Sequence, residues 1–173
     1  MREPVWDVND KLLGRRFAEA FLTGSDGSVP FDIKVFAFYG EVGLVEVRTG
    51  DWSRAAPGTE HRNRAFRADG TEVIGGRPFI RRSPEIPPPR DLPAVVEAAS
   101  RLSRAIRRPA VRLDFFETDE GLFFGEVTPN PGHVPVLRGH LDRELGAMFE
   151  RAQARLLADL VAEGTLFVEH GAG

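Results

Sequence analysis

The sequence predicts an α+β domain, an antiparallel sheet with helices packed on one side of it, and three observations carry that expectation. Phe31 to Tyr39 alternates with a period of two, placing Asp32, Lys34, Phe36 and Phe38 on one face and Phe31, Ile33, Val35 and Ala37 on the other. Val111 to Phe116 and Leu122 to Thr128 form two further alternating runs joined by Asp119-Glu120-Gly121, a hairpin signature. Two segments, 91–107 and 141–163, instead carry apolar residues at helical spacing.

Taken in chain order, Phe17 to Leu22 (FAEAFL) alternates well enough for a strand, and the turn-rich stretch Thr23 to Pro30 follows it. Phe31 to Tyr39 is the clearest strand; Gly40-Glu41 turns the chain into a second, Val42 to Arg48. Asp51 to Arg90 is polar and rich in glycine, proline and arginine, and reads as a long loop ending in the extended spacer Ile86-Pro87-Pro88-Pro89. A loop of that length within one domain is usually functional or partly disordered. Asp91 suits a helix N-cap, with Val95, Ala98, Ala99, Leu102 and Ile106 as the buried stripe before Pro109. After the hairpin, Leu141, Leu145, Met148, Phe149, Ala152, Leu156 and Leu160 stripe a second helix, with Gly164 as its C-cap. No internal repeat interrupts this order, and 173 residues at 42% hydrophobic content suit a single domain over 1–173.

The hairpin is also where chemistry first shows. With a three-residue loop, Thr118 pairs with Leu122; counting inward, Phe116 faces Phe124, Asp114 faces Glu126 and Arg112 faces Thr128. Arg112, Asp114, Glu126 and Thr128 then share one face. Opposed residues have Cβ atoms about 5 Å apart, and like charges there repel. Two opposed carboxylates on a phenylalanine-rich ribbon therefore call for a cation, and hard divalent ions take carboxylate oxygens while keeping water and phosphates as their other ligands. The plainer reading is a solvated pair satisfied by Arg112 or another arginine.

Composition narrows the function classes. A net charge of −3 and pI near 5.8 give no global basic field for nucleic acid or an anionic membrane. The arginine-rich loop lacks a stacking-aromatic pattern, so nucleic acid is not an expected partner. Without cysteine there is neither a disulfide framework nor a thiolate metal site. No leader-like apolar region and no membrane-span-length run is present, so the expected location is cytoplasmic. Lysine occurs only at Lys11 and Lys34, which limits the candidates for any ammonium role. His133 and His140 lack the further ligands a zinc site needs and read as structural or substrate-side.

These segments together resemble the central and C-terminal part of an ATP-grasp enzyme, most closely the teichuronopeptide-biosynthesis (TupA-like) branch. The order is the same: a hinge strand written AEAFL, then DIKVFAFYGEV, a long basic loop, an Ala/Leu-rich helix, and VRLDFF followed by FFGEVTPNPG. The similarity covers about residues 15–150. It implies an ATP- and Mg²⁺-dependent carboxylate–amine ligase acting through an acyl phosphate, in cell-envelope polysaccharide or peptide biosynthesis, with Mn²⁺ as an alternative ion. By that resemblance Asp114, Glu126 and either Thr128 or Asn130 hold the metal on the ATP phosphates; most members carry asparagine where this chain has Thr128. Glu19, Ala20, Phe21 and Leu22 are the adenine hinge, and Asp32 matches a ribose-binding position. Lys34 lies where relatives have a basic residue near the phosphates, and Arg62, Asn63 and Arg64 fall in a loop that supplies phosphate contacts. Lys34 and Arg112 are the expected charge-neutralising catalytic residues for phosphoryl transfer.

One departure bears on activity. A complete ATP-grasp enzyme carries a further small sheet and a glycine-containing loop ahead of the hinge, whereas about fifteen residues precede it here, so the expectation is a subdomain truncated at the N-terminus, with Lys11 the sole stand-in for the missing lysines. Self-association or a separate N-terminal partner follows as an expectation. The competing readings are a catalytically inactive, partner-dependent remnant that binds nucleotide, and a metal-free hydrolase using Asp114 and Glu126 as acid and base, which requires one carboxyl pKa to be raised.

Overall fold

The computed structural model describes residues 22–23, 27–48, 62–75, 81–129 and 139–165. The elements run β1 (Asp32–Phe38), β2 (Glu41–Arg48), β3 (Arg62–Phe66), β4 (Arg81–Arg82), α1 (Leu92–Ile106), β5 (Val111–Thr118), β6 (Gly121–Thr128) and α2 (His140–Ala162). They build one sheet in the order β4-β3-β2-β1-β5-β6. Every pairing is antiparallel except the short parallel β3–β4 contact. This is the α+β fold expected of the sequence, with β1 at its centre.

The helices cover opposite faces, not one. Val95 and Ala99 of α1 are buried with Ile33, Val35, Ala37, Val45, Val47, Val111, Leu113 and Phe115. Leu141, Leu145, Met148, Ala152 and Leu156 of α2 are buried with Phe38, Tyr39, Leu44 and Val73, and Phe36 packs against them. The reason is the alternation itself: β1 is apolar on both faces at its C-terminal half, so each face needs a cover. Only the N-terminal half of one face, with Asp32 and Lys34, is polar. Phe149 departs from the expected stripe and is exposed at 38%, because it lies off the line through Leu145, Met148 and Ala152.

The two helices pinch the β1–β2 turn between them. Tyr39 and Gly40 both take positive φ, 44° and 94°, as a tight two-residue hairpin turn requires. The turn thus falls one residue earlier than Gly40-Glu41. From the α1 side, Ser100 Oγ donates to the Gly40 carbonyl at 2.6 Å and Ser103 Oγ accepts from Gly40 N–H at 2.9 Å. From the α2 side, the Tyr39 hydroxyl donates to Asp159 at 2.7 Å, and Arg155 donates to the Phe38 carbonyl at 2.8 Å. Gly43 is an unpaired bulge residue, since Phe36 pairs with Leu44 and Ala37 with Val42. A Cβ there would lie 2.7 Å from both Leu145 Cδ2 and Phe38 Cε2, so α2 reaches the sheet because this residue has no side chain.

The stretch expected as a loop over 51–90 contains β3 and β4. Val73 N–H donates back to the Ala65 carbonyl and Ser83 N–H to the Asn63 carbonyl, and Phe66, Val73 and Ile86 are buried. Among its described arginines, Arg64 and Arg82 donate to Glu72, and Arg62 lies 3.5 Å from Glu85. Arg62 and Arg64 are strand residues because β3 pairs with β2, and Arg82 because β4 pairs with β3. Asp91 caps α1 as expected, its carboxylate accepting from Ala94 N–H at 2.9 Å. Gly164, at φ 70°, follows the α2 cap residue Glu163.

The hairpin differs from expectation in a compensated way. Its loop is two residues, with Thr118 opposite Gly121, so Phe116 faces Phe123 and Phe115 faces Phe124. A bulge at Gly125 then restores the count, and Asp114 faces Glu126 and Arg112 faces Thr128, as the sequence implied. Glycine suits the bulge because a Cβ at Gly125 would sit 2.8 Å from Phe116 Cε2.

Candidate functional site

Residues paired across an antiparallel sheet share a face, so the register alone assembles the site. One row across the sheet reads Ala65, Glu46, Lys34, Asp114, Glu126 from β3 to β6. The next reads Asn63, Arg48, Asp32, Phe116, and on the other side lie Leu44, Phe36, Arg112 and Thr128. This polar patch occupies the α2 face of the sheet, beyond the part that α2 covers with Phe36 and Phe38.

Asp114 is its centre. Buried to 4% exposure, it accepts from Lys34 Nζ at 2.5 Å on Oδ2, and Arg112 grips both its oxygens at 2.7 and 3.0 Å. Lys34 reaches Asp32 as well, at 2.8 Å, and so bridges two carboxylates across β1 and β5. A charge this far from water needs such partners. The plain reading of Asp114 as a residue satisfied by Arg112 is therefore part of the geometry. Glu126, by contrast, is exposed, and no hydrogen bond or ion pair to it is seen among the described residues.

The expected site residues divide clearly. Lys34, Asp32, Asp114, Arg112, Glu126 and Thr128 are brought together on one face. Of Arg62, Asn63 and Arg64, only Asn63 faces the site; alternation turns the two arginines to the other face, where Arg64 donates to the Ile86 carbonyl at 3.1 Å and lies over the Phe66 ring. Leu22 is half-buried and outside any strand. Glu19, Ala20 and Phe21, together with Lys11, Asn130 and His133, lie outside the described residues. His140 is exposed at the start of α2. Glu46 and Arg48 are site-face residues that sequence reasoning passed over. Two charged residues at i and i+2 in the apolar run EVGLVEVR were the available signal.

Among the described residues no group of three or more His, Cys, Asp or Glu side chains converges as a metal cage. The donor set nevertheless fits a hard cation held in part by its substrate. Asp114 and Glu126 stand directly opposite each other, and the Thr128 Oγ1 beside them is buried with no hydrogen-bond partner among the described residues. Two carboxylates and a hydroxyl leave the remaining positions of an octahedral ion to phosphate and water.

A largely antiparallel sheet with two helices, an α+β fold, is consistent with an ATP-grasp domain. The chain belongs to the TupA-like ATP-grasp family, whose family model matches residues 8–150. The fold is thus of the ATP-dependent ligase type, and proteins of this superfamily generally bind ATP and Mg²⁺. No curated protein matches the chain. No helix among the described residues is long and apolar enough to cross a membrane.

Proposed function

We propose that this protein is a cytoplasmic ATP- and Mg²⁺-dependent carboxylate–amine ligase acting through an acyl phosphate, in cell-envelope polysaccharide or peptide assembly. The observation that carries the reading is the polar patch, on which Lys34 and Arg112 converge on Asp114 opposite Glu126. Asp32, Glu46, Asp114 and Glu126 outnumber Lys34, Arg48 and Arg112 by one, so the patch is slightly negative. Such a surface accepts a polyanion only together with a divalent cation.

In this reading Asp114, Glu126 and Thr128 or Asn130 hold Mg²⁺, which supplies charge neutralisation and Lewis-acid polarisation of phosphate oxygens. Lys34 and Arg112 stabilise the charge that spreads over the equatorial oxygens of the transferred phosphoryl group. Because both are anchored by Asp114, they are positioned before the ligand arrives and cost little reorganisation. Asp32, whose Oδ1 is buried and without a partner, accepts from a ribose hydroxyl. Residues 19–22 lend backbone groups to adenine. The carboxylate substrate attacks the γ-phosphorus and displaces ADP; the amine then attacks the acyl carbon, loses a proton and expels phosphate.

Calorimetry with a non-hydrolysable ATP analogue and Mg²⁺, together and separately, tests this. Coupled binding that Glu126→Ala abolishes supports it, and an unchanged affinity in that variant removes the metal clamp. The inactive-remnant reading has one observation in its favour: Asp114 is already saturated by the chain's own cations. It predicts weak nucleotide binding and no turnover with any acceptor.

A further inference from the structure

Glu46 is the most completely buried charged group of the patch, with 0% of its surface exposed, and nothing in the proposed chemistry uses it. It stands beside Lys34 in register, yet its Oε2 accepts from Arg48 at 2.8 Å. A fully buried carboxylate is costly unless its partner is fixed well, so the pair is a rigid unit built into β2. Arg48 keeps 11% of its side chain exposed. Burial lowers its pKa, the Asp32 charge raises it, and the Arg112 charge lowers it again, which puts the guanidinium within the electrostatic field of the site.

The row to which Arg48 belongs has a donor–acceptor pattern. Asn63, paired with Arg48 on β3, is buried and among the described residues its Nδ2 has no hydrogen-bond partner; Asp32, paired with it on β1, has a buried Oδ1 likewise without one. Adjacent strands are about 4.8 Å apart, so the row spans roughly 10 Å. An amide N–H₂ with no acceptor next to a guanidinium calls for an oxygen-rich anion, and the carboxylate oxygen beside them calls for a hydroxyl.

We infer that Arg48, held by Glu46, contacts a phosphate oxyanion of the ligand together with Asn63, forming a second phosphate grip on the β2–β3 side of Lys34. Glu46 is then a positioning residue. This inference rests on the nucleotide reading above and adds to it where the polyphosphate is gripped. It also gives a reason for a charged pair inside an apolar strand: the guanidinium is pre-aimed, and its planar fork suits phosphate better than an ammonium would.

Arg48→Gln alone leaves Glu46 buried without its cation and risks unfolding, so the decisive variant is the double replacement Glu46→Gln/Arg48→Gln, a neutral pair of similar size. Affinities for a non-hydrolysable ATP analogue, tripolyphosphate and adenosine are measured by calorimetry with Mg²⁺ present, on variants whose circular dichroism matches the parent. The expected result is a loss of about tenfold or more for the analogue and for tripolyphosphate, with adenosine unchanged. Glu46→Gln alone gives a smaller loss, and the double variant is no weaker than Arg48→Gln where that variant folds. Unchanged affinity of the double variant for both phosphate ligands overturns the inference while leaving the ligase reading intact. An equal loss for adenosine overturns it too, since that marks general damage. If the parent protein binds no nucleotide, the ligase reading itself fails and the inference falls with it.

Discussion

Replacing Lys34 with methionine removes one charge and keeps the unbranched stem up to the ammonium group. Lys34 Nζ lies 2.8 Å from Asp32 and 2.5 Å from Asp114, with the lysine and the two aspartate side chains exposed at 11%, 16% and 6%. Breaking a buried pair by removing one partner costs about 3–5 kcal/mol. Arg112 still holds Asp114 after the change, and Asp32 retains some contact with water, so the lower end, about 3 kcal/mol, is expected. For a domain of this size each kcal/mol shifts the melting temperature by about 2–4 °C, giving a fall of about 6–12 °C. The assay is a thermal melt followed by circular dichroism, with Lys34→Met/Asp32→Asn as the paired control. The control should recover part of the loss, because it removes the stranded charge. A single variant that melts within a degree or so of the parent would show that Lys34 does not bridge the two carboxylates, and the preorganisation assigned to it would go with that result.

Three further outcomes are expected. Tyr39 is the only tyrosine, and the hydrogen bond it donates to Asp159, then burial, raises its pKa above 10.0. The stability this gives is fully present below pH 10 and is lost as pH rises through the higher folded value; tyrosinate absorbance should titrate late, and Tyr39→Phe should flatten the alkaline limb of the stability curve. The opposite sign applies to Glu72, which hydrogen bonds from Arg82 and then Arg64 depress from 4.5 to about 2. Its contribution is present above pH 4.5 and disappears as pH falls toward about 2, so Glu72→Gln should lose that acid dependence in urea titrations across the window. Gly43→Ala should destabilise by about 1–3 kcal/mol through collision with Leu145 and Phe38, read from the denaturation midpoint; a neutral effect would mean that α2 sits farther from the sheet.

Much of the site was legible because a strand has only two faces. Once Asp114 and Glu126 fell opposite each other, Arg112 and Thr128 had to join them, and Lys34 with Asp32 faced one way on β1. That inference survived a wrong loop length only because Gly125 inserts the residue that the two-residue turn omits. Asn63 could not be separated from Arg62 and Arg64 without knowing that the segment is a strand, and the charged i, i+2 pair Glu46 and Arg48 could be assigned to the site face only once β2 was paired with β1.

By itself the sequence determined the α+β class, the strands β1, β2, β5 and β6 and the helices α1 and α2 in their order, the Asp91 cap, and that Arg112, Asp114, Glu126 and Thr128 share a face, since these follow from local periodicity and capping chemistry. Only the tertiary structure decided that α1 and α2 cover opposite faces, that β3 extends the sheet and turns Asn63 toward the site, and that Lys34 closes the gap between Asp32 and Asp114. Those outcomes depend on pairing between residues far apart in the chain. Lys34 and Asp114 are 80 positions apart, and no local pattern encodes which strand will lie beside which.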